Sequence, residues 1–305
     1  MRTGFTLPQI GRAAGPKAIV QAARRAEALG YDSVWVTERL LFPVKPQTPY
    51  PVTADGSLPE AYKQVLDPVE ALTFAAAHTS RVALGTSVLD LPYYNPVVLA
   101  RRLTTLDVLS EGRLRVGFGL GWSKDEFDAV GVSLAERGRR ADEFLQLLKA
   151  IWTTDPVEFH GKYYQLPRSF IGPKPVQKPH PPIYLAAYVP AALKRAARLA
   201  DGWNPAGVPV DGMAQMMGQM REMARAAGRD PGSVALIVRA NLYVTPEPQD
   251  SKRWIFSGSL EQIKEDIERV RALKADELFF DPTFSPDGES TESFIGCMER
   301  IRKLL

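Results

Sequence analysis

The sequence predicts an α/β fold, a (β/α)8 TIM barrel with insertions at the carboxyl-terminal mouth. Three observations lead there. Strand-like and helix-like stretches alternate along most of the chain, the pattern of a parallel sheet with helical crossovers. The count reaches eight of each. The length of 305 residues suits one large barrel of roughly 250 residues plus insertions. No linker divides the chain, so residues 1–305 read as a single domain, with a doubly wound open sheet as the alternative topology.

The elements follow in order. "RTGFTLP" reads as the first strand, and "PKAIVQAARRAEALG" as a helix from Pro16 to Leu29 that stops at Gly30, where a C-terminal cap calls for left-handed backbone. "YDSVWVTE" is strand two. Asp67 can cap the helix "DPVEALTFAAAHT", with Pro68 at its first position and Glu70 at its third, the arrangement of a capping box. "RVALGTSVL" is strand three. Asn95 and Pro96 repeat the device for "NPVVLARRLTTLDVLSEG", whose Leu99, Leu103 and Leu106 share a face. "RLRVGFG" is strand four, and "GRRADEFLQLLKAIW" its helix. Residues 155 to 181, rich in proline and aromatics, fit no single element and read as an excursion over the mouth. "PIYLAA", "PAALKRAARLA" and the short "DGWNPAG" come next. A methionine-rich helix (about 211 to 227), "VALIVRANLYV" as strand seven, "SLEQIKEDIERVRALK", "DELFFD" and "TESFIGCMERIRKLL" complete the pairs.

Hydrophobic residues make up 45% and charged residues 24%, an ordinary globular balance with ample material for a core. The 38 basic and 35 acidic residues are interleaved and leave a net charge of +3, which gives nucleic-acid binding little support. Cys297 has no intramolecular disulfide partner, and His78, His160 and His180 lack metal-ligand spacing. No metal is expected. The opening "MRTGFTLPQIG" has too short an apolar stretch for a signal peptide, and no window approaches the ~20 apolar residues of a membrane span. The expectation is a cytoplasmic protein without membrane association.

In such a barrel the active site lies at the carboxyl ends of the strands. Four strand ends carry polar or glycine-rich signals: Thr37, Glu38 and Arg39; Ser87 and Asp90 within "LGTSVLDLP"; "GFGLGWSKDEF"; and "AAYVP". Burying an unpaired polar group costs about 1–3 kcal/mol, so Ser87 and Asp90 at a strand's end point to the mouth. Glycines 117, 119 and 121 have the wrong spacing for a dinucleotide fingerprint. Gly119 and Gly121 would let a planar ligand approach the backbone with Trp122 along it; a tight turn with a core Trp is the plainer alternative. At "AAYVPAALKRAAR", with Pro190 at the first helical position, the amides of Tyr188, Val189, Ala191 and Ala192 suit an anion, or form an ordinary junction.

Glu38 and Arg39 should point to opposite faces, one toward the mouth, where Glu38 is either catalytic or a rim charge paired with a basic residue. Arg239 and Asn241 share a face of strand seven. Facing inward they would bind an anionic or carbonyl substrate; facing outward they would meet the helices. No Ser-His-Asp or Cys-His arrangement is readable, which disfavours hydrolysis through a covalent nucleophile. Asp125, Glu126 and Asp128 read as the charged first turn of a short helix.

The segments "AEALGYDSVWVTE", "RVALGTSVLDLPYYNPVVLARRLTTLDVLSEGRLRVGFGLGW", "EFDAVG", "RGRRADEFLQLLKAIW" and "RAARLADGW" resemble the luciferase-like monooxygenase family in order and spacing, over nearly the whole chain. These bacterial-luciferase-like barrels bind FMN or the 8-hydroxy-5-deazaflavin coenzyme F420. "VTERLLFP", "GWSKDEFDAVG" and "PKPVQKPHPPIYL" look most like the coenzyme F420-dependent oxidoreductase branch. The resemblance implies hydride exchange between the coenzyme and a small organic substrate, because deazaflavin has carbon where flavin has N5 and reacts poorly with oxygen. Two alternatives stand beside it. One is an FMN-dependent monooxygenase using reduced flavin and oxygen, fed by a flavin reductase; the other is a flavin-binding protein without turnover.

The resemblance also implies roles for residues. Ser87 and Val88 fall at a bulge where the family has a non-prolyl cis peptide backing the flavin ring, and Leu120, Gly121 and Trp122 along the ring or ribityl chain. Ala186, Ala187, Tyr188 and Val189 fall at the phosphate site, the two alanines replacing glycines often seen there. Thr37 and Asp90 complete the candidate cofactor contacts. Glu38 falls where an acidic residue approaches the reacting ring. Arg39 stands where many deazaflavin members have histidine, and Arg239 and Asn241 near an Arg-x-His pair of some monooxygenases; with Trp122 these are the catalytic candidates. A homodimer is the expected assembly. Residues 40 to 62 and 155 to 181, with Phe42, Tyr50, Tyr62, Tyr163, Tyr164 and Phe170, would build a pocket for an apolar, planar or cyclic substrate.

Overall fold

The computed structural model describes residues 1–305. Its elements run β1 (Arg2–Thr6), α1 (Pro16–Ala28), β2 (Ser33–Val36), α2 (Pro68–Ala76), β3 (Ala83–Thr86), β4 (Leu89–Asp90), α3 (Pro96–Leu109), β5 (Leu114–Gly119), α4 (Lys124–Ala129) and α5 (Arg137–Thr153). After them come β6 (Val157–His160), β7 (Gln165–Ser169), β8 (Ile183–Leu185), α6 (Pro190–Leu199), β9 (Gly202–Trp203), α7 (Val210–Ala226), β10 (Ala235–Asn241), β11 (Tyr243–Val244), β12 (Ser257–Gly258), α8 (Leu260–Ala272), β13 (Glu277–Asp281) and α9 (Thr291–Arg302). Strands β1, β2, β3, β5, β8, β9, β10 and β13 pair in parallel around a ring, and β1 meeting β13 and β3 meeting β5 close it. This is the (β/α)8 barrel that the alternation predicts.

Local chemistry accounts for the element ends. The Asp67 side chain accepts from Val69 N at 2.9 Å, and Asn95 accepts from Val97 N at 2.9 Å, so both helices are capped by the residue just before their first-position prolines. Glu70 leaves the cap and pairs instead with Arg102. Gly30 takes φ +77°, the left-handed turn expected after α1. Leu99, Leu103 and Leu106 are buried on one face of α3. The larger core lies between sheet and helices. A smaller one inside the barrel holds Trp35, Tyr184, Ile237 and Phe279, with Trp35 stacked on Phe279 at 4.4 Å.

Three features depart from the sequence reading. The helices number nine, not eight, because the short helix read at Asp125, Glu126 and Asp128, α4, adds to the barrel's eight, and strand seven ends at Asn241, after which β11 pairs with β12. The third departure is larger. Residues 155–181 do not cover the mouth: they form the β6–β7 hairpin beside α5, where Glu143 accepts from Lys162 N and Tyr163 N at 3.0 and 2.8 Å. Lys174 Nζ donates to the Ile151 carbonyl, and Gln177 Nε2 to that of Leu114 at the start of β5. The reason is geometric. A barrel helix runs back toward the amino ends of the strands, and β8 starts there, so the chain between α5 and β8 begins and ends at the floor. The 40–62 insertion does lie at the mouth, where Tyr50 packs on Trp122 and Tyr62 on Phe284.

Candidate functional site at the barrel mouth

The third strand shows how the site is built. Gly85 pairs with Arg115 and Leu89 with Phe118, so four steps on one strand face three on the other, and one extra residue bulges at Ser87 and Val88. The Ser87–Val88 peptide is cis. Every polar atom of Ser87 is held. Its carbonyl accepts from Thr37 Oγ1 and Arg239 Nη1, both at 2.8 Å, its amide donates to the Val36 carbonyl at 2.7 Å, and its hydroxyl donates to Asn204 Oδ1 at 2.7 Å. Only glycine fits opposite: a Cβ on Gly119 would lie 2.4 Å from Asp90 Oδ1 and 2.5 Å from Val88 Cγ2.

Arg239 reaches across the barrel to that carbonyl, so it points inward. Its Nη2 pairs with Asp281 Oδ2, Thr6 Oγ1 donates to Asp281 Oδ1 at 3.1 Å, and Arg239 Nε is buried without a partner. Asn241, two residues on and on the same strand face, is exposed.

Glu38 and Arg39 diverge, although β2 ends at Val36 and neither belongs to the strand. Glu38 accepts from Asp90 N at 2.6 Å and from the Tyr94 hydroxyl, and it has no basic partner. Burial, then the Asp90 charge, push its carboxyl up to about 8. Burial likewise pushes Asp90 up to about 6, against the Gly121 amide, which donates to Asp90 Oδ1 at 2.8 Å, and the Arg39 charge. The two carboxyls therefore hold protons to higher pH than ordinary acids. Arg39 turns the other way, into a bidentate pair with Glu126, its guanidinium 4.9 Å from the Trp122 ring and 5.6 Å from that of Tyr62.

Tyr188 and Val189 lie exposed at the start of α6. The Ala186 amide is committed to the Phe118 carbonyl at 2.9 Å, and that of Ala192, expected free, donates to Val189 at 2.9 Å. Tyr188, Val189 and Ala191 have amides without a protein acceptor, beside Pro190 at the first helical position. Ala187 is buried, with its carbonyl taken by Trp203 Nε1. Leu120 is partly buried and packs against the larger core.

The mouth thus gathers a short peptide wall at Ser87 and Val88, a glycine turn leading to Trp122, and a helix N-terminus with open amides. The sequence profile described as luciferase-like monooxygenase matches residues 3–281. The chain belongs to that family. Family relatives include an uncharacterised protein of Mycobacterium tuberculosis, 38% identical over 86% of this chain and 90% of its own length. An F420-dependent glucose-6-phosphate dehydrogenase of Amycolatopsis mediterranei is 35% identical over 62% of this chain and 53% of its own. An FMNH2-dependent dimethylsulfone monooxygenase of Pseudomonas putida is 36% identical over 50% and 42%. Among solved structures, the monooxygenase RslO1 of Streptomyces bottropensis superposes with a TM-score of 0.80 at 23% identity, covering 100% of this chain and 98% of that one.

The family fold brings Thr37, Ser87, Arg239 and Asp90 to one end of the barrel, together with three residues the strand-end reading passed over, Asp281, Asn204 and Tyr94, and with Glu126, read there only as part of a helix's first turn. Asp281 carried a readable signal, because it closes the apolar run "DELFFD" at a strand end. Glu126 does lie in the charged first turn of a short helix, as the sequence predicts, but nothing in the sequence marks it as buried. It stands between Asp125, whose carboxylate takes the Gln47 amide at the surface, and Asp128, which pairs with Lys124, yet Glu126 itself is buried. No helix of the chain is long and apolar enough to cross a membrane.

Proposed function

We propose that the chain is an oxidoreductase that uses coenzyme F420 at the barrel mouth to oxidise or reduce a small organic substrate. The observation that carries this reading is the pairing, at one barrel end, of a tightly held ring-backing wall with the open amides of α6, which suits a ligand with a planar ring and a phosphate. Val88 and the Gly121–Trp122 turn would meet the ring, and Tyr188, Val189 and Ala191 amides the phosphate. The buried Arg239 Nε is a donor awaiting an acceptor, which fits an oxygen-bearing ligand. When bound, the deazaflavin supplies two-electron hydride chemistry. Burial pushes the Glu38 carboxyl up to about 8, so it would be the group at the mouth that takes up or gives a proton near neutral pH, with the Tyr94 hydroxyl donating to it, and Arg239 with Thr37 fixes the Ser87 carbonyl. The F420-dependent relative supports the choice of coenzyme.

A second reading is an FMN-dependent monooxygenase supplied by a reductase, favoured by the FMNH2-dependent relative. The protein would act in the cytoplasm, as a single domain and as a homodimer. Incubation with each cofactor, desalting and an absorption spectrum separate the readings. Retention of F420 is expected; retention of FMN alone promotes the second reading, and retention of neither removes both.

A further inference from the structure

Glu126 is a buried carboxylate that ties three separate segments together. It accepts from Arg39 Nε at 2.7 Å and Arg39 Nη2, from Leu40 N at 2.7 Å and from the Tyr93 hydroxyl at 2.9 Å. Arg39 in turn lies over the Trp122 and Tyr62 rings, Tyr50 packs on both, and Phe284 packs on Tyr62. The result is a closed cluster of rings around one cation at the mouth, oriented by one carboxylate. A guanidinium fork held by a carboxylate has a defined plane, which is what stacking on two ring faces requires.

We propose that Glu126 is a positioning residue: by clamping Arg39 between Trp122 and Tyr62 it sets the aromatic wall against which the cofactor ring and substrate are seated. This rests on the reading of the mouth as a flavin or deazaflavin site. Glu126 touches no ligand itself; it acts through Arg39 and Trp122. The insertion that carries Tyr50 and Tyr62 is thereby tied to α4.

The test uses Glu126→Gln and Glu126→Asp in the full chain, with two readouts. Without ligand, the fluorescence contribution of Trp122 is taken as the difference between each protein and its Trp122→Phe counterpart. With ligand, F420 and FMN are titrated and the spectrum of the bound ring recorded. Glu126→Gln is expected to change the Trp122 contribution, to weaken coenzyme binding about tenfold and to shift the bound spectrum, while unfolding stays cooperative. Glu126→Asp restores part of each. Arg39→Met is expected to match Glu126→Gln, and the double variant to be no worse than either single, as two members of one clamp require. An unchanged Trp122 contribution in Glu126→Gln overturns the proposal, as do independent, additive effects of Arg39 and Glu126. A lowered unfolding temperature with unaltered affinity and spectrum also overturns it. If the wild type binds neither coenzyme, the cofactor reading fails, and the ligand-free Trp122 difference still decides whether the clamp exists.

Discussion

The two ends of the barrel interior are built from similar groups to opposite effect. At the floor, the buried Glu277 accepts from Ser33 Oγ and from Trp35 Nε1 at 3.1 Å, and pairs with Arg115 and with Arg2 at 3.3 Å. Trp35 stacks over this on Phe279, in room left by Gly85, where a Cβ would lie 2.2 Å from the Trp35 ring. At the mouth, Arg239 and Asp281 form a comparable buried pair, but Arg239 Nε is bare, Asn241 is exposed and the α6 amides are open. A saturated polar cluster can only hold the barrel together. An unsaturated one keeps hydrogen-bonding capacity for a ligand.

The sharpest way to break that contrast is Glu277→Gln. Removing one partner of a buried pair leaves Arg115 uncompensated, and a loss of about 3–5 kcal/mol is expected in urea unfolding, with coenzyme affinity of the folded protein unchanged. Loss of affinity at undiminished stability would erase the division between the two ends. Gly119→Ala should strike the mouth instead. Its Cβ would overlap Asp90 and Val88, costing about 1–3 kcal/mol of strain and weakening coenzyme binding, seen by titration against the same unfolding curves.

A smaller effect is expected from pH. The Glu38 carboxyl has an ordinary value of 4.5 and is held at about 8 in the folded chain, so the native state binds a proton the unfolded chain has released. Stability contributed by that proton is complete below 4.5 and is lost as pH rises through about 8. Unfolding temperatures measured across this window should fall for the wild type and flatten in Glu38→Gln; parallel slopes would show that Glu38 does not hold the proton. The smallest change is expected from Tyr62→Phe. Its hydroxyl meets only the Tyr50 hydroxyl, at 3.5 Å, so stability should move by less than about 0.5 kcal/mol. Altered substrate selectivity at constant stability would place that hydroxyl in the open half of the site.

Much of the architecture was legible because its causes are local. Asp67 and Asn95 find their amide partners within three residues, and Gly30 needs only its own backbone, so caps and helix ends could be read directly. The strand-end rule pointed to Ser87 and Asp90 directly, whereas the direction of Arg239 and the place of Asp281 needed the closed barrel. Residues 155 to 181 were misplaced because composition marks an irregular segment without saying at which end of the barrel it starts. Glu126 does stand in the first turn of α4, but its burial was not legible because its partner, Arg39, is 87 residues away.

By itself, then, the sequence determined the alternation of strands and helices, the barrel and the strand ends at which chemistry gathers, since period, capping and chain length act between near neighbours. Only the tertiary structure decided which polar groups at those ends are saturated and which are left open. That depends on partners such as Ser87 with Arg239 and Arg39 with Glu126, which meet only when the ring of strands closes and brings distant parts of the chain to one mouth.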